Sequence, residues 1–275
     1  MSGQLRERRA YELSRWDVEG PREPIPLLLY RRAEPGSPRP AVVLYHGVTQ
    51  SKDAYIDGNP VARRLTDAGF AVVVPDAPGH GERPSGPELV GRLRKSLAHE
   101  FCCDIEQAGD EAPALLDWLE SLEEVDASRI GVAGISMGGF TAAFVASRLN
   151  DRLRAAVCVA GCGDLRECMA RTDSIGPDGW GPPDRAIDGE TEKRIERIDP
   201  LGHPDRFPPL PLLLLHGSED TWNPCVTSER FAAALRPQYS DLRAVFDLRI
   251  VPGALHWPPA PEIVDQLEGW LTEHI

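Results

Sequence analysis

No apolar run in this 275-residue sequence is long enough to cross a bilayer; the segments PLLLLH and AVVVP are both far too short. The opening segment, MSGQLRERRAYEL, is charged and lacks the apolar core of a secretory signal. Together these absences set the expectation of a cytoplasmic protein. Cations are also in short supply: 30 Lys and Arg stand against 43 Asp and Glu, a formal net charge of −13. That balance disfavours nonspecific binding to nucleic acid or to an anionic membrane. The six cysteines, Cys102, Cys103, Cys158, Cys162, Cys168 and Cys225, form no CxxC pair. Neither a disulfide framework nor a zinc site is expected, since Cys158-x-x-x-Cys162 has no matching His or Cys pair nearby. Internal repeats and low-complexity tails are missing as well.

What is present is an alternation. Short, mostly apolar runs occur at Ala41–Tyr45, Ala71–Pro75, Ile130–Ala133, Ala155–Ala160, Leu212–His216 and Phe246–Val251. Such runs suit parallel strands buried on both faces. Helical patterns lie between and after them, at Pro60–Ala68, Phe101–Glu120, Met137–Leu149, Val226–Leu235 and Pro261–His274. The expected fold class is α/β: a mostly parallel twisted sheet with helices on both faces. Tyr11–Val18 and Pro26–Arg31 read as an antiparallel pair on the sheet edge. The chain is expected to be a single domain over 1–275. The stretch 163–207 breaks the rhythm, polar and rich in Gly and Pro, and reads as a small lid-like insertion with short helices near Leu165–Ala170 and Thr191–Ile198. Pro75–Pro87 reads as a loop.

The segment RIGVAGISMGGF, Arg129 to Phe140, places Ser136 between Gly134 and Gly138 where a strand should turn into a helix. This is the G-x-S-x-G elbow in the setting it needs. Residues on either side of so sharp a turn are crowded, so glycine is required there, and the turn lifts the hydroxyl to the carboxyl edge of the sheet. Serine alone is a poor nucleophile and needs a base with an orienting acid. Of seven histidines, His256 follows the last strand directly, in DLRIVPGALHWPP. Asp220 follows the preceding strand, in PLLLLHGSEDTWNP, with Glu219 as a rival acid next door. The order Ser136, Asp220, His256 is that of a strand-by-strand hydrolase site. Two backbone N–H groups are expected to hold an oxyanion: Met137, at the start of the helix, and Val48, in the HGV turn after the first parallel strand. Phe140, Trp180, Trp222 and Trp257 are candidate walls of an acyl pocket. His46, His216, His80, Glu82 and Asp76 read mainly as loop-ordering residues, and Cys162 as a small buried one.

The elbow, His46-Gly47, PDAPGHGER, HGSEDTWNP and the late His256 together resemble the α/β-hydrolase superfamily. Within it, YHGVTQSK and HGSED are similar to dienelactone-hydrolase-like and prolyl-oligopeptidase-related esterases. The resemblance runs from about Arg39 to the C-terminus. Dienelactone hydrolases proper carry a cysteine nucleophile where this chain has Ser136, which turns the expectation from lactones towards a serine esterase for small to medium acyl groups. No cofactor or metal is implied, and the partner is a small-molecule ester. The same triad would serve a peptidase-like or thioester hydrolase. A non-catalytic binding module of the same fold is a third reading, which the complete triad opposes. A dehalogenase or epoxide hydrolase would resemble branches with Asp at the elbow. The oligomeric state is left open by the sequence.

Overall fold

The computed structural model describes residues 11–34, 36–171, 186–240 and 245–275. Its centre is an eight-stranded sheet. β1 (Tyr11–Val18) and β2 (Ile25–Arg32) form an antiparallel edge pair, and β2 also lies antiparallel to β4 (Ala71–Pro75). From there the sheet is parallel: β4, β3 (Arg39–Tyr45), β5 (Val125–Ile135), β6 (Ala156–Val159), β7 (Leu212–Gly217) and β8 (Phe246–Val251). The full order is β1-β2-β4-β3-β5-β6-β7-β8. The strand order reverses at β3, whose neighbours are β4 on one side and β5 on the other. An open sheet has its ligand crevice at such a switch point, beyond the strands' carboxyl ends.

The unbroken apolar runs follow from two-sided burial. Val43, Val73, Val132, Leu212 and Leu214 face one core; Val42, Val72, Ala133, Leu213 and Leu215 face the other. The first core is covered by α4 (Leu97–Glu120), α5 (Met137–Arg148) and α8 (Cys225–Tyr239). The second lies under α2 (Val61–Asp67) and α9 (Pro261–His274). Helices therefore lie on both faces of a mostly parallel sheet, as expected. The edge pair also forms where the sequence places it. β5 is longer than expected, beginning at Val125, because Arg39 of β3 pairs with its start across a register shift.

Two short helices were not foreseen: α1 (Ala54–Asp57) and α3 (Leu89–Lys95). Of the stretch 163–207, the described part contains α6 (Leu165–Arg171) and α7 (Gly189–Ile198), close to the expected positions. Leu165, Cys168, Met169, Ile195 and Ile198 pack with Phe101, Ile105 and Phe144 into a third apolar cluster, over one side of α4 and α5. Asp199 joins the two ends of this excursion, accepting the backbone N–H groups of Asp164, Leu165 and Leu201. Among the described residues, no helix is long and apolar enough to cross a membrane.

Candidate active site

Ser136 sits between β5 and α5 with φ 61° and ψ −121°, a backbone conformation that side-chain-bearing residues rarely adopt. The surrounding glycines explain how it is held. A Cβ on Gly134 would lie 1.9 Å from the Gly138 carbonyl oxygen, and one on Gly138 would lie 2.1 Å from that of Tyr45. The Ser136 N–H donates to Val159 O at 2.8 Å, which pins the turn to β6.

The three residues picked out by strand order come together. The Ser136 hydroxyl donates to His256 Nε2 across 2.9 Å, and His256 Nδ1–H donates to Asp220 Oδ2 across 2.7 Å. The carboxylate fixes the tautomer, since it can only accept. Asp220 Oδ1 accepts the backbone N–H groups of Trp222 and Asn223, each at 2.9 Å. Burial would raise the Asp220 pKa, but bonds from His216 and His256 outweigh it and hold the carboxyl well below the usual range. All three side chains belong to residues less than a tenth exposed. Glu219, the rival acid, is exposed and is not a bonding partner of His256.

The loop after β3 is tied down from several sides. His46 Nδ1–H donates to Gly47 O at 2.9 Å, and His46 Nε2 accepts Ala77 N–H at 3.0 Å. Burial keeps this imidazole neutral, as an acceptor nitrogen requires. Gln50 clamps the turn: its side-chain oxygen accepts Gly47 N–H and its own N–H donates to Gly47 O. Thr49, between them, has φ 66°. Further along, the fully buried Lys52 ammonium lies 2.8 Å from Asp76 Oδ2 and 3.0 Å from Glu82 Oε2. Asp76 also accepts the N–H groups of Lys52 and Glu82. Asp76 and His46 thus order loops, the role expected of them, and between them they join the loop after β3 to the loop after β4.

Ser136 and His256 open into a cavity of about 490 Å³. Val48, Ile135, Trp222, Leu255 and Trp257 give it apolar walls, with Gly47, Thr49, Gln50 and Thr221 between. Among these described lining residues none is Lys, Arg, Asp or Glu. Trp222 stacks on the His256 ring, centroids 4.9 Å apart and planes 25° apart. Leu255 and Trp257 flank His256 and are among the exposed large hydrophobic residues. A larger groove of about 650 Å³ lies elsewhere, along α4, α5 and α7; its Arg148 and Arg197 are paired with Asp110 and Glu106.

Of the four aromatic wall candidates, Trp222 and Trp257 line the cavity. Phe140 does not. It is fully buried, edge-to-face with Phe101 at 6.0 Å, because the inward face of α5 packs on α4 rather than opening to the crevice. Trp180 lies outside the described residues. Val48 lines the cavity beside Ser136, and Met137 opens α5 directly after it. Cys162 is buried with its thiol donating to Cys158 O at 3.2 Å. Sequence reasoning missed Gln50 and Leu255. Leu255 carried a signal, being next to His256; Gln50 carried none beyond its place in the turn.

Residues 60–275 match the prolyl oligopeptidase family. The chain belongs to that family. It is 30% identical to YitV of Bacillus subtilis over 74% of this chain and 76% of that protein. It is 29% identical to the esterase YjfP of Escherichia coli over 91% and 96%. Its fold is similar to that of Porphyromonas gingivalis dipeptidyl peptidase 4, with a TM-score of 0.71 and 19% identity. That alignment covers 97% of this chain but 36% of the peptidase, so the chain spans about a third of that protein's length. This member of the prolyl oligopeptidase family is an α/β-hydrolase and a serine hydrolase, and the expected superfamily stands.

Proposed function

We propose that this hydrolase cleaves carboxylic esters of small to medium, uncharged acyl groups through an acyl-enzyme on Ser136. One observation carries the reading: the chain of bonds from Asp220 through His256 to Ser136 ends in a cavity of about 490 Å³ with apolar walls. In this mechanism His256 Nε2 takes the Ser136 proton as Oγ attacks the ester carbonyl. The N–H groups of Met137 and Val48 hold the resulting oxyanion, each worth about a hundred- to a thousandfold in turnover. Asp220 orients His256 and stabilises its charged form. The imidazolium then protonates the departing alkoxide, and the acyl group stays on Oγ. Water, deprotonated by His256, attacks the acyl-enzyme and releases the acid. A charged acyl group would enter this cavity without a partner among its described walls, which costs several-fold or more in binding. Residues 163–207 would form an insertion within a single hydrolase domain.

The test is Ser136→Ala with p-nitrophenyl butyrate. Turnover should fall by about three orders of magnitude or more. A folded variant that still turns over at the native rate would end the mechanism. Aminoacyl p-nitroanilides and acyl-CoA thioesters, run beside the ester, separate the peptidase-like and thioester readings. The ester should be the best substrate of the three. A fluorophosphonate probe should label Ser136; a binding module would stay unlabelled.

A further inference from the structure

Asp220 serves two histidines rather than one. The oxygen that accepts His256 Nδ1–H also lies 3.2 Å from Nε2 of His216, the buried histidine near the end of β7. The other contacts of His216 decide where its hydrogens lie. Nε2 is 2.9 Å from the carbonyl oxygen of Asn223. A carbonyl and a carboxylate can only accept, so Nε2 carries a hydrogen. Nδ1 is 2.6 Å from Ser228 Oγ on α8. A hydroxyl accepts as readily as it donates, so a second hydrogen on Nδ1 also has a partner. The pocket around His216 therefore gives both hydrogens of an imidazolium a partner.

The groups that face it agree. Asp220 comes from its own loop, Cys162 from the loop after β6, and Ser228 from α8, while His256, from the loop after β8, shares Asp220 with it. The Cys162 thiol donates to Cys158 O. Asp220 is the anion of the set. Burial works against charge on His216, but the bond to Asp220 opposes it and raises His216 above its ordinary value.

We propose that His216 is a positioning residue for the hydrolytic relay: a buried second cation on Asp220 that holds the carboxylate in register with His256 and offsets part of the charge His256 meets. This rests on reading Ser136, His256 and Asp220 as that relay. An aspartate facing His256 with its full charge would favour the protonated imidazole and keep the base occupied in mild acid. Sharing the carboxylate with His216 weakens that hold and extends activity to lower pH.

The variant that isolates the charge is His216→Gln, whose amide nitrogen can reach the Nε2 position and keep an N–H donor. His216→Leu removes donor and charge together. In His216→Gln the acid limb of kcat/KM for p-nitrophenyl butyrate should move up by about one pH unit, so the ratio of kcat/KM at pH 8 to that at pH 6 rises up to about tenfold. The low-field proton resonance of His256 Nδ1–H should shift in the same variant. A stability measurement reads the His216 charge directly. A histidine raised in the folded state stabilises fully below its unfolded value of about 6.5 and loses that contribution as pH rises through its folded value. Urea midpoints of the native protein should fall across that window, and those of His216→Gln should fall less. An unmoved acid limb with an unchanged stability slope, in a folded variant, overturns the assignment of His216. Failure of a fluorophosphonate to label the native protein overturns the Ser136 reading instead, so the two failures are told apart.

Discussion

At the scale of single residues, the elbow shows why its glycines are obligatory. A Cβ at Gly134 would meet backbone, the Gly138 carbonyl oxygen at 1.9 Å, and backbone cannot swing away as a long side chain can. Gly134→Ala should therefore cost about 1–3 kcal/mol of stability and displace Ser136 enough to lower turnover at least tenfold. Gly269 provides the contrast. It lies inside α9, and a Cβ there would meet nothing within 4 Å. Gly269→Ala should raise stability by about 0.5–1 kcal/mol with turnover unchanged. Urea midpoints and kcat/KM for the two variants check both. Ser136 and Asp220 were legible in advance because each lies just past a strand whose apolar run is plain in the sequence, and His256 because it follows the last strand. Phe140 was misplaced because an aromatic residue one turn after the nucleophile has the same sequence signature whether it faces the crevice or α4. His216 was rightly seen as ordering its loop. Its contact with Asp220 was hidden, because a strand-end histidine gives no hint of which loop folds over it.

Secondary-structure elements were legible in proportion to their hydrophobic period. β4 and β7 are buried along their whole length, so their runs are unbroken, and helices such as α4 and α9 carry enough turns to show a face. α1 and α3 are four and seven residues long. Helices of that size show no dependable period and form because tertiary contacts hold them. Leu89 and Leu93 of α3, for instance, are anchored in the cluster around Phe101. Pairing between loops was invisible for a related reason. Lys52 and Asp76 are 24 residues apart in sequence yet form a fully buried ion pair joining the loop after β3 to the loop after β4. The Asp76 and Glu82 bonds raise the Lys52 pKa against the pull of burial, so the ammonium is firmly charged. Lys52→Met should cost about 3–5 kcal/mol, because it leaves the Asp76 carboxylate buried without its cation. It should also lower kcat/KM, since Val48 lies four residues before Lys52 on the loop that this pair anchors. Lys52→Met with Asp76→Asn should recover part of the stability. Denaturant midpoints of the single and double variants measure the coupling, and additive losses would show that the pair does not act as a unit.

For the molecule as a whole, excess acid sets the charge but burial decides how stability responds to pH. The chain carries 43 acidic residues against 30 basic ones, and carboxylates lie mostly at the surface. The buried ones pull in opposite directions. Asp220, held low by its two histidines, stabilises above its unfolded value of about 3.9 and loses that contribution as pH falls further. Asp104 does the reverse. It is nearly fully buried on α4, and its Oδ2 has no hydrogen-bond partner among the described residues; His80 Nδ1 is 3.7 Å away and within bonding distance of Pro78 O. Burial raises its carboxyl well above the ordinary range, while burial and His46 lower His80 to about 3, so burial works against charge on both. A carboxyl raised in the folded state favours folding below about pH 3.9 and loses that advantage as pH rises, about 1.4 kcal/mol for each tenfold difference in proton affinity between the folded and unfolded chain. Asp104→Asn keeps the shape and removes the titration. Its stability relative to the native protein should therefore increase from pH 4 to pH 8, because only the native protein loses the Asp104 contribution over that range. Parallel urea titrations at the two pH values decide it. A difference that stays constant between them would mean that Asp104 ionises as freely in the folded protein as in water.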